Sequence, residues 1–308
     1  VTADRKPPGV LTLSTNGKPD ATLTQGWLEP APETPIPLSL DEPTQTLLAL
    51  VTLAHNPGAG KALVVGQGSG LSSHMLLGSP HLESLATVEI EPAMLEGSRI
   101  FLPATRRVFQ DPRSRFVIDD AKSFLAQGGE PLDLILSEPS NPWVSGVASL
   151  FSDEFYTRVQ ARLAPGGVFG QWLHLYEIDD GLVLSVLAAI HRNFPAYHVY
   201  LVHSADMLIV AGRDPGLDAP DWSVFEYPGV AEDLARTHPF HPSLLDASRF
   251  LTRDALAPLM ETWSRPNSDF YPMLDLGAER ARFLQLPASG FLEAASGPFD
   301  VGDVFLPR

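Results

Sequence analysis

ALVVGQGSG (residues 62–70) runs a four-residue apolar segment directly into three glycines at alternate positions, Gly66, Gly68 and Gly70, and then into the helix-like LSSHMLL (71–77). A chain that leaves a buried strand and enters a helix over so few residues must turn tightly and let its backbone lie against a ligand at the strand's carboxyl end. Glycine permits both. A plain turn produces the same cluster, and a dinucleotide site looks similar, although G-x-G-x-G lacks the sixth-position glycine of the dinucleotide fingerprint. The segments on either side decide between these readings.

Downstream, short aliphatic runs alternate with helix-like stretches, the pattern of a parallel sheet covered on both faces. The predicted strands are Ala62–Val65, Leu85–Ile90, Arg115–Ile118, Leu132–Ser137 and Gly167–Leu173. GLVLSVLAAIHRNF (181–194) has helical periodicity, and HVYLVHSADMLIVAGR (198–213) holds two β-rich runs about a Ser-Ala-Asp turn, which predicts an antiparallel pair. Five parallel strands and a terminal hairpin describe an α/β chain with a Rossmann-like methyltransferase fold: a seven-stranded sheet whose last two strands form an antiparallel hairpin. Upstream, VLTLSTNGKPDATLT (10–24) alternates about an Asn-Gly turn and predicts a β-hairpin. Beyond the sheet, Pro215 to Pro242 reads as loop and short helices, and FLTRDALAPLMETW (250–263) as a helix. The chain thus divides into an N-terminal β-hairpin region (1–48), a cofactor-binding catalytic domain (49–214) and a C-terminal extension (215–308).

Two acids sharpen the glycine loop into a site. Glu89 ends the second strand in TVEIEP, where a carboxylate can accept hydrogen bonds from both hydroxyls of a ribose, while Glu91 reads as a surface charge. Asp120, with Ala121 beside it, lies just past the third strand in IDDAKSFL, placed to accept from an adenine amino group; Asp119 reads as a solvated turn residue. Glycine loop, ribose acid and adenine acid fall in order at the carboxyl ends of successive strands. That order points to an adenosyl cofactor.

Composition narrows the partners. Of 308 residues, 21 are Lys or Arg and 37 Asp or Glu, a formal charge of −16 and the wrong sign for neutralising phosphates, so nucleic acid is not expected. Such a surface attracts cationic acceptors such as amines, and also serves plain solubility. Zero cysteines remove disulfides, thiolate metal sites and a cysteine nucleophile, and fit a reducing compartment, with the cytoplasm as the default. No apolar run approaches a membrane span and VTADRKPPGV has no signal-peptide profile, but the first residue is Val1, so a longer or processed chain is an open alternative.

At the fourth strand, DLILSEPSNPWVSGVASLFSDEFY (133–156), the chain resembles the spermidine synthase family of polyamine aminopropyltransferases. The resemblance runs from about Leu11 to Gly212 through NGKPDAT, DEPTQTLL, the glycine loop, VEIEP, DDAKSFL, SEPSNPW and LAPGGVFGQW. The tail RPNSDFYPMLDLGAERARF (265–283) is similar to a divergent branch in which the domain is fused behind membrane helices. The resemblance implies that Gln45 contacts the sulfur side of S-adenosylmethionine or its decarboxylated form, and that Gly66 to Gly70 lie under its amino-acid tail. Glu89 and Asp120 hold ribose and adenine. Glu138 falls where the family has the aspartate proposed to deprotonate the attacking amine. Two positions depart from the pattern: Ser69 replaces the aspartate that holds the ammonium of the decarboxylated cofactor, and Asn141 replaces the second carboxylate of Asp-x-x-Asp-Pro, which helps to hold a diamine. The serine also no longer repels the carboxylate of intact S-adenosylmethionine.

Trp143 can wall an acceptor pocket or anchor packing. Trp172, His174 and Tyr176 alternate at the exit of the fifth strand and therefore point to one face, with His174 a candidate auxiliary base. His238 and His241 lack the grouped partners of a metal site, His198 and His203 read as structural, and no metal is predicted. No G-x-S-x-G elbow suggests a hydrolase. Three functions follow: aminopropyl transfer to a small amine, methyl transfer on the same scaffold, or a cofactor-binding domain without turnover. A homodimer is open to each.

Overall fold

The computed structural model describes residues 1–6, 9–15, 18–28, 41–102, 104–203, 205–237, 241–263 and 265–295. Strands β1 (Thr2–Lys6), β2 (Val10–Thr15) and β3 (Lys18–Thr24) form an antiparallel sheet in that order, so the expected hairpin gains a third strand. The Asn16-Gly17 turn lies outside the described residues, as does His238. Helix α1 (Glu42–Ala54) follows, and the elements then alternate: β4 (Lys61–Val65), α2 (Leu71–Leu76), β5 (Ser84–Glu89), α3 (Pro92–Ser98), β6 (Ser114–Ile118), α4 (Ala121–Ala126), β7 (Leu132–Ser137), α5 (Asp153–Arg162), β8 (Leu163–His174) and α6 (Asp180–Asn193). The hairpin β9 (Ala196–His203) and β10 (Asp206–Gly212) closes the alternation, and α7 (Pro228–Leu234), β11 (Arg249–Thr252), α8 (Arg253–Thr262) and α9 (Met273–Phe283) complete the principal elements.

The main sheet runs β11-β9-β10-β8-β7-β4-β5-β6, with β6, β5, β4, β7 and β8 parallel and β10 antiparallel to both β8 and β9. It therefore has eight strands where seven were expected. The extra one, β11, comes from the stretch predicted to be wholly helical. Phe250 and Leu251 suit a strand and cover the free edge of β9, and Thr252 then caps α8 by accepting from the Ala255 amide at 3.3 Å.

The period-two alternation of strands splits the core into two layers. Leu63, Val65, Ile135 and Phe169 pack with α5 and α6 on one face, while Ala62, Val64, Leu134 and Leu136 pack with α1 and α2 on the other. Every residue of α1 is buried, and it lies directly on β8 because Gly170 has no side chain: a Cβ there would sit 2.2 Å from Thr52 Oγ1. Leu13, Leu23 and Trp27 join the same layer, so the N-terminal sheet is packed onto α1. The expected boundary at residue 48 falls inside this helix. Among the described residues no helix is long and apolar enough to cross a membrane.

Candidate functional site

The chain lays down β4, β5 and β6 outward in one direction and then returns to place β7 on the other side of β4. At such a reversal the loops leaving the two central strands diverge and open a crevice beyond their carboxyl ends. A cavity of about 680 Å³ occupies that place, lined by the loops after β4 to β8, the start of α1 and residues of the N-terminal sheet.

Its floor is the glycine loop. Gly66, Gly68 and Gly70 have φ of +92°, +48° and +83°, a region where a side chain is strained, and a Cβ on Gly66 would meet the Glu138 carbonyl oxygen at 2.9 Å. Ser69 donates its hydroxyl to the amide oxygen of Gln45 and accepts from the Leu71 amide at 3.1 Å, which ties α1 to the loop. Glu89 is 8% exposed; one oxygen accepts from the Gln67 amide at 3.0 Å and the other from the Glu91 amide at 2.9 Å. Burial pushes its carboxyl up from the ordinary glutamate value, and these backbone donors oppose the shift. Glu91 caps α3 from an exposed position.

Asp120 lines the cavity beside Ala121 and also caps α4, accepting from the Ser123 amide at 2.8 Å. All eight residues expected at a cofactor, from Gln45 to Ala121, line this one cavity. Asp120→Ala is expected to cost about 1 kcal/mol of stability through the lost cap and to weaken cofactor binding less than a change at Glu89. Thermal unfolding and calorimetry of the one variant read the two effects separately.

Glu138, Asn141, Trp143 and Tyr176 line the other half of the cavity. The Asn141 amide donates to the Tyr176 hydroxyl at 3.2 Å. Trp143 stands edge-on to His174 with centroids 4.9 Å apart, and the Arg282 guanidinium of α9 lies 5.3 Å from the Trp143 ring centre. His174 does share a face with Trp172 and Tyr176, their rings 5.4 and 4.6 Å from its own, but it is fully buried and forms no part of the cavity wall. Alternation gives a side chain's face and not what covers it; here Trp143 and Tyr176 flank the imidazole, so His174 supports the wall.

Sequence reading did not single out Asp41, Asp206, Asp20 or Ser72, and it took Asp119 and Glu91, which also line the cavity, for a turn residue and a surface charge. Asp41 precedes α1, Asp206 opens β10 and accepts from the Thr44 hydroxyl at 2.7 Å, and Asp20 accepts from the Ser140 hydroxyl at 2.7 Å. Ser72 donates to Glu138 Oε2 at 2.5 Å. Asp41 was in view within DEPTQTLL; Asp206 and Asp20 sit in or beside turns, where an acid is unremarkable. Among the described lining residues carboxylates outnumber cations eight to one, Arg282 being the cation.

Burial pushes the Glu138 carboxyl up to about 7, the Ser72 hydroxyl pulls it down, and the charges of Asp41 and Asp206 push it further up. Its ordinary value is 4.5, so the folded state is favoured below pH 4.5 and loses that advantage as pH rises through 7. Glu138→Gln, neutral throughout, should therefore be more stable than the wild type at pH 8, by at most about 3 kcal/mol, and nearly equal to it at pH 4. Melting curves at both pH values check this. A variant less stable at pH 8 makes Glu138 an anchor of its loop.

Five parallel strands reversed at β4 and β7, an antiparallel pair at the end, and a glycine loop facing an acid at the end of the neighbouring strand define the Rossmann-like methyltransferase class. Within it, the chain belongs to the spermine/spermidine synthase family, whose domain matches residues 42–206, more than half of the sequence. The polyamine aminopropyltransferase of Mycobacterium tuberculosis (strain CDC 1551 / Oshkosh) is 36% identical over 218 residues, 64% of this chain and 42% of that protein. Putrescine N-methyltransferase 2 of Nicotiana attenuata is 31% identical over 144 residues, 45% of this chain and 38% of that one. The chain spans about half the length of the curated relatives it matches, or less. The crystal structure of spermidine synthase from Thermotoga maritima superposes with a TM-score of 0.56 at 19% identity, over 84% of this chain and 86% of that one, a likeness of fold.

Proposed function

We propose that this chain transfers an aminopropyl group from decarboxylated S-adenosylmethionine to a small amine. The observation that carries the reading is the acidic acceptor half of the cavity, where Asp41 and Asp206 act electrostatically on Glu138. Such a site favours a cationic acceptor, and a carboxylate poised near neutrality suits a base. The other half fits an adenosyl donor: a glycine cradle with left-handed backbone, Glu89 for ribose hydroxyls, and Asp120 with Ala121 for adenine. Gln45 and Ser69 stand at the donor's tail.

When bound, the donor supplies a carbon activated by a sulfonium. Glu138 takes a proton from the acceptor ammonium, and the freed lone pair forms the new C–N bond as the C–S bond breaks and its electrons stay on sulfur. The products are a neutral thioether and a secondary ammonium, and the proton on Glu138 returns to solvent. Asp41 and Asp206 hold positive charge at the acceptor end throughout. The compartment is the cytoplasm, and the catalytic domain is residues 49 to 214 joined by the start of α1, which brings Gln45 to the cavity.

A second reading, methyl transfer from intact S-adenosylmethionine, is favoured by Ser69, a neutral residue bonded to Gln45 where the family has an aspartate. Alignment alone supplies much of that reaction's acceleration. Calorimetry with both donors separates the two. Tighter binding of the decarboxylated form is expected; clear preference for the intact form transfers the case to methylation.

A further inference from the structure

Ser72 lies in the first turn of α2, buried, and its hydroxyl oxygen stands 2.5 Å from Glu138 Oε2 and 2.9 Å from the carbonyl oxygen of Gln45. A hydroxyl has one proton to give, and an ionised Glu138 and a carbonyl both only accept. With Glu138 ionised, the proton goes to the carboxylate, and 2.5 Å is the length of a charge-assisted O–H···O contact. With Glu138 protonated at Oε1, Oε2 is the carbonyl oxygen of the acid and still accepts from Ser72; protonated at Oε2, the acid donates to Ser72, whose own proton turns to the Gln45 carbonyl. Either state finds a partner at the same oxygen with no heavy atom displaced. An aspartate at 138 would be one methylene short of this contact, so the longer side chain and the serine act together.

We infer that Ser72 is the positioning residue for Glu138: it holds Oε2 against the start of α2 in both protonation states and leaves Oε1 to take the amine's proton. The inference rests on Glu138 being the base. The charged groups that act on this carboxyl are Asp41, ahead of α1, and Asp206, on β10, and both favour its protonated form. Arg282 of α9, the cation of the cavity, lies over Trp143. The Ser72 hydroxyl is the contact that opposes the two acids.

The test reads the carboxyl directly, in the whole ligand-free protein labelled with carbon-13 at the glutamate carboxyls. An NMR titration, with Glu138→Gln to identify the resonance, is expected to give a wild-type midpoint of about 7. Ser72→Ala should raise it by about one pH unit, the equivalent of one hydrogen bond to a charged group, and Ser72→Thr, which keeps the hydroxyl, should restore it. The acid limb of amine turnover should move by the same amount, a loss of about five-fold at pH 7 that vanishes above about pH 9. A midpoint unmoved or lowered in Ser72→Ala overturns the positioning role, whatever happens to turnover. A midpoint that rises in a protein that turns over no amine overturns instead the base assignment on which the role rests.

Discussion

Glu138→Gln is expected to lower turnover on an amine by about 10²–10⁴-fold at pH 7 while leaving donor affinity nearly unchanged, the usual range for a lost general base. An alkylammonium with a pKa near ~10.4 is neutral in well under one part in a thousand at pH 7, which sets more than about 4 kcal/mol between it and a nucleophilic lone pair. Burial pushes the Glu138 carboxyl up to about 7, so with Glu138 as the base the wild type should lose rate below that pH and hold it above. The variant depends on amine that is already neutral, and gains about tenfold for each pH unit up to about pH 10. From about pH 7 to about pH 10 the gap between the two enzymes should therefore close by about 1.36 kcal/mol per unit. Parallel profiles across that range contradict the base role.

The second large effect is at Glu89. Replacing it with alanine should weaken donor binding by about 3 kcal/mol, roughly 10²-fold, because two ribose hydroxyls lose a charged acceptor in a site partly closed to water. The loss is compounded in the free protein. Glu89 accepts from the Gln67 and Glu91 amides, so its removal also frees the glycine loop from the end of β5. Calorimetry on Glu89→Ala and Asp120→Ala ranks the two acids. An affinity unchanged in the first, or lower in the second, places the ribose elsewhere.

What was legible in the sequence was local. The glycine loop announces itself because three left-handed residues in five demand a residue without a side chain, and Glu89 and Asp120 because each ends an apolar run within a few residues of it. The order of β4 to β10 followed from the same alternation of runs. What the chain brings together from afar was not legible. Ser72 meets Glu138 across 66 positions, and Asp206 reaches the cavity only because β10 inserts between β8 and β9. β11 was hidden because three β-prone residues precede a helix without a break, and the capping role of Thr252 shows only once the strand is paired. At His174 the periodicity gave the face correctly, and burial beneath neighbouring rings decided the rest.

Aminopropyl transfer requires an acidic pocket that takes an amine and a donor whose aminopropyl carbon is attacked. Its most direct test is mass spectrometry of the products after the protein is incubated with a linear diamine and, in parallel, decarboxylated or intact S-adenosylmethionine. The predicted result is an acceptor heavier by one aminopropyl group, formed from the decarboxylated donor and all but lost in Glu138→Gln at pH 7. An acceptor that gains only a methyl group from the intact donor, with nothing formed from the decarboxylated one, contradicts it.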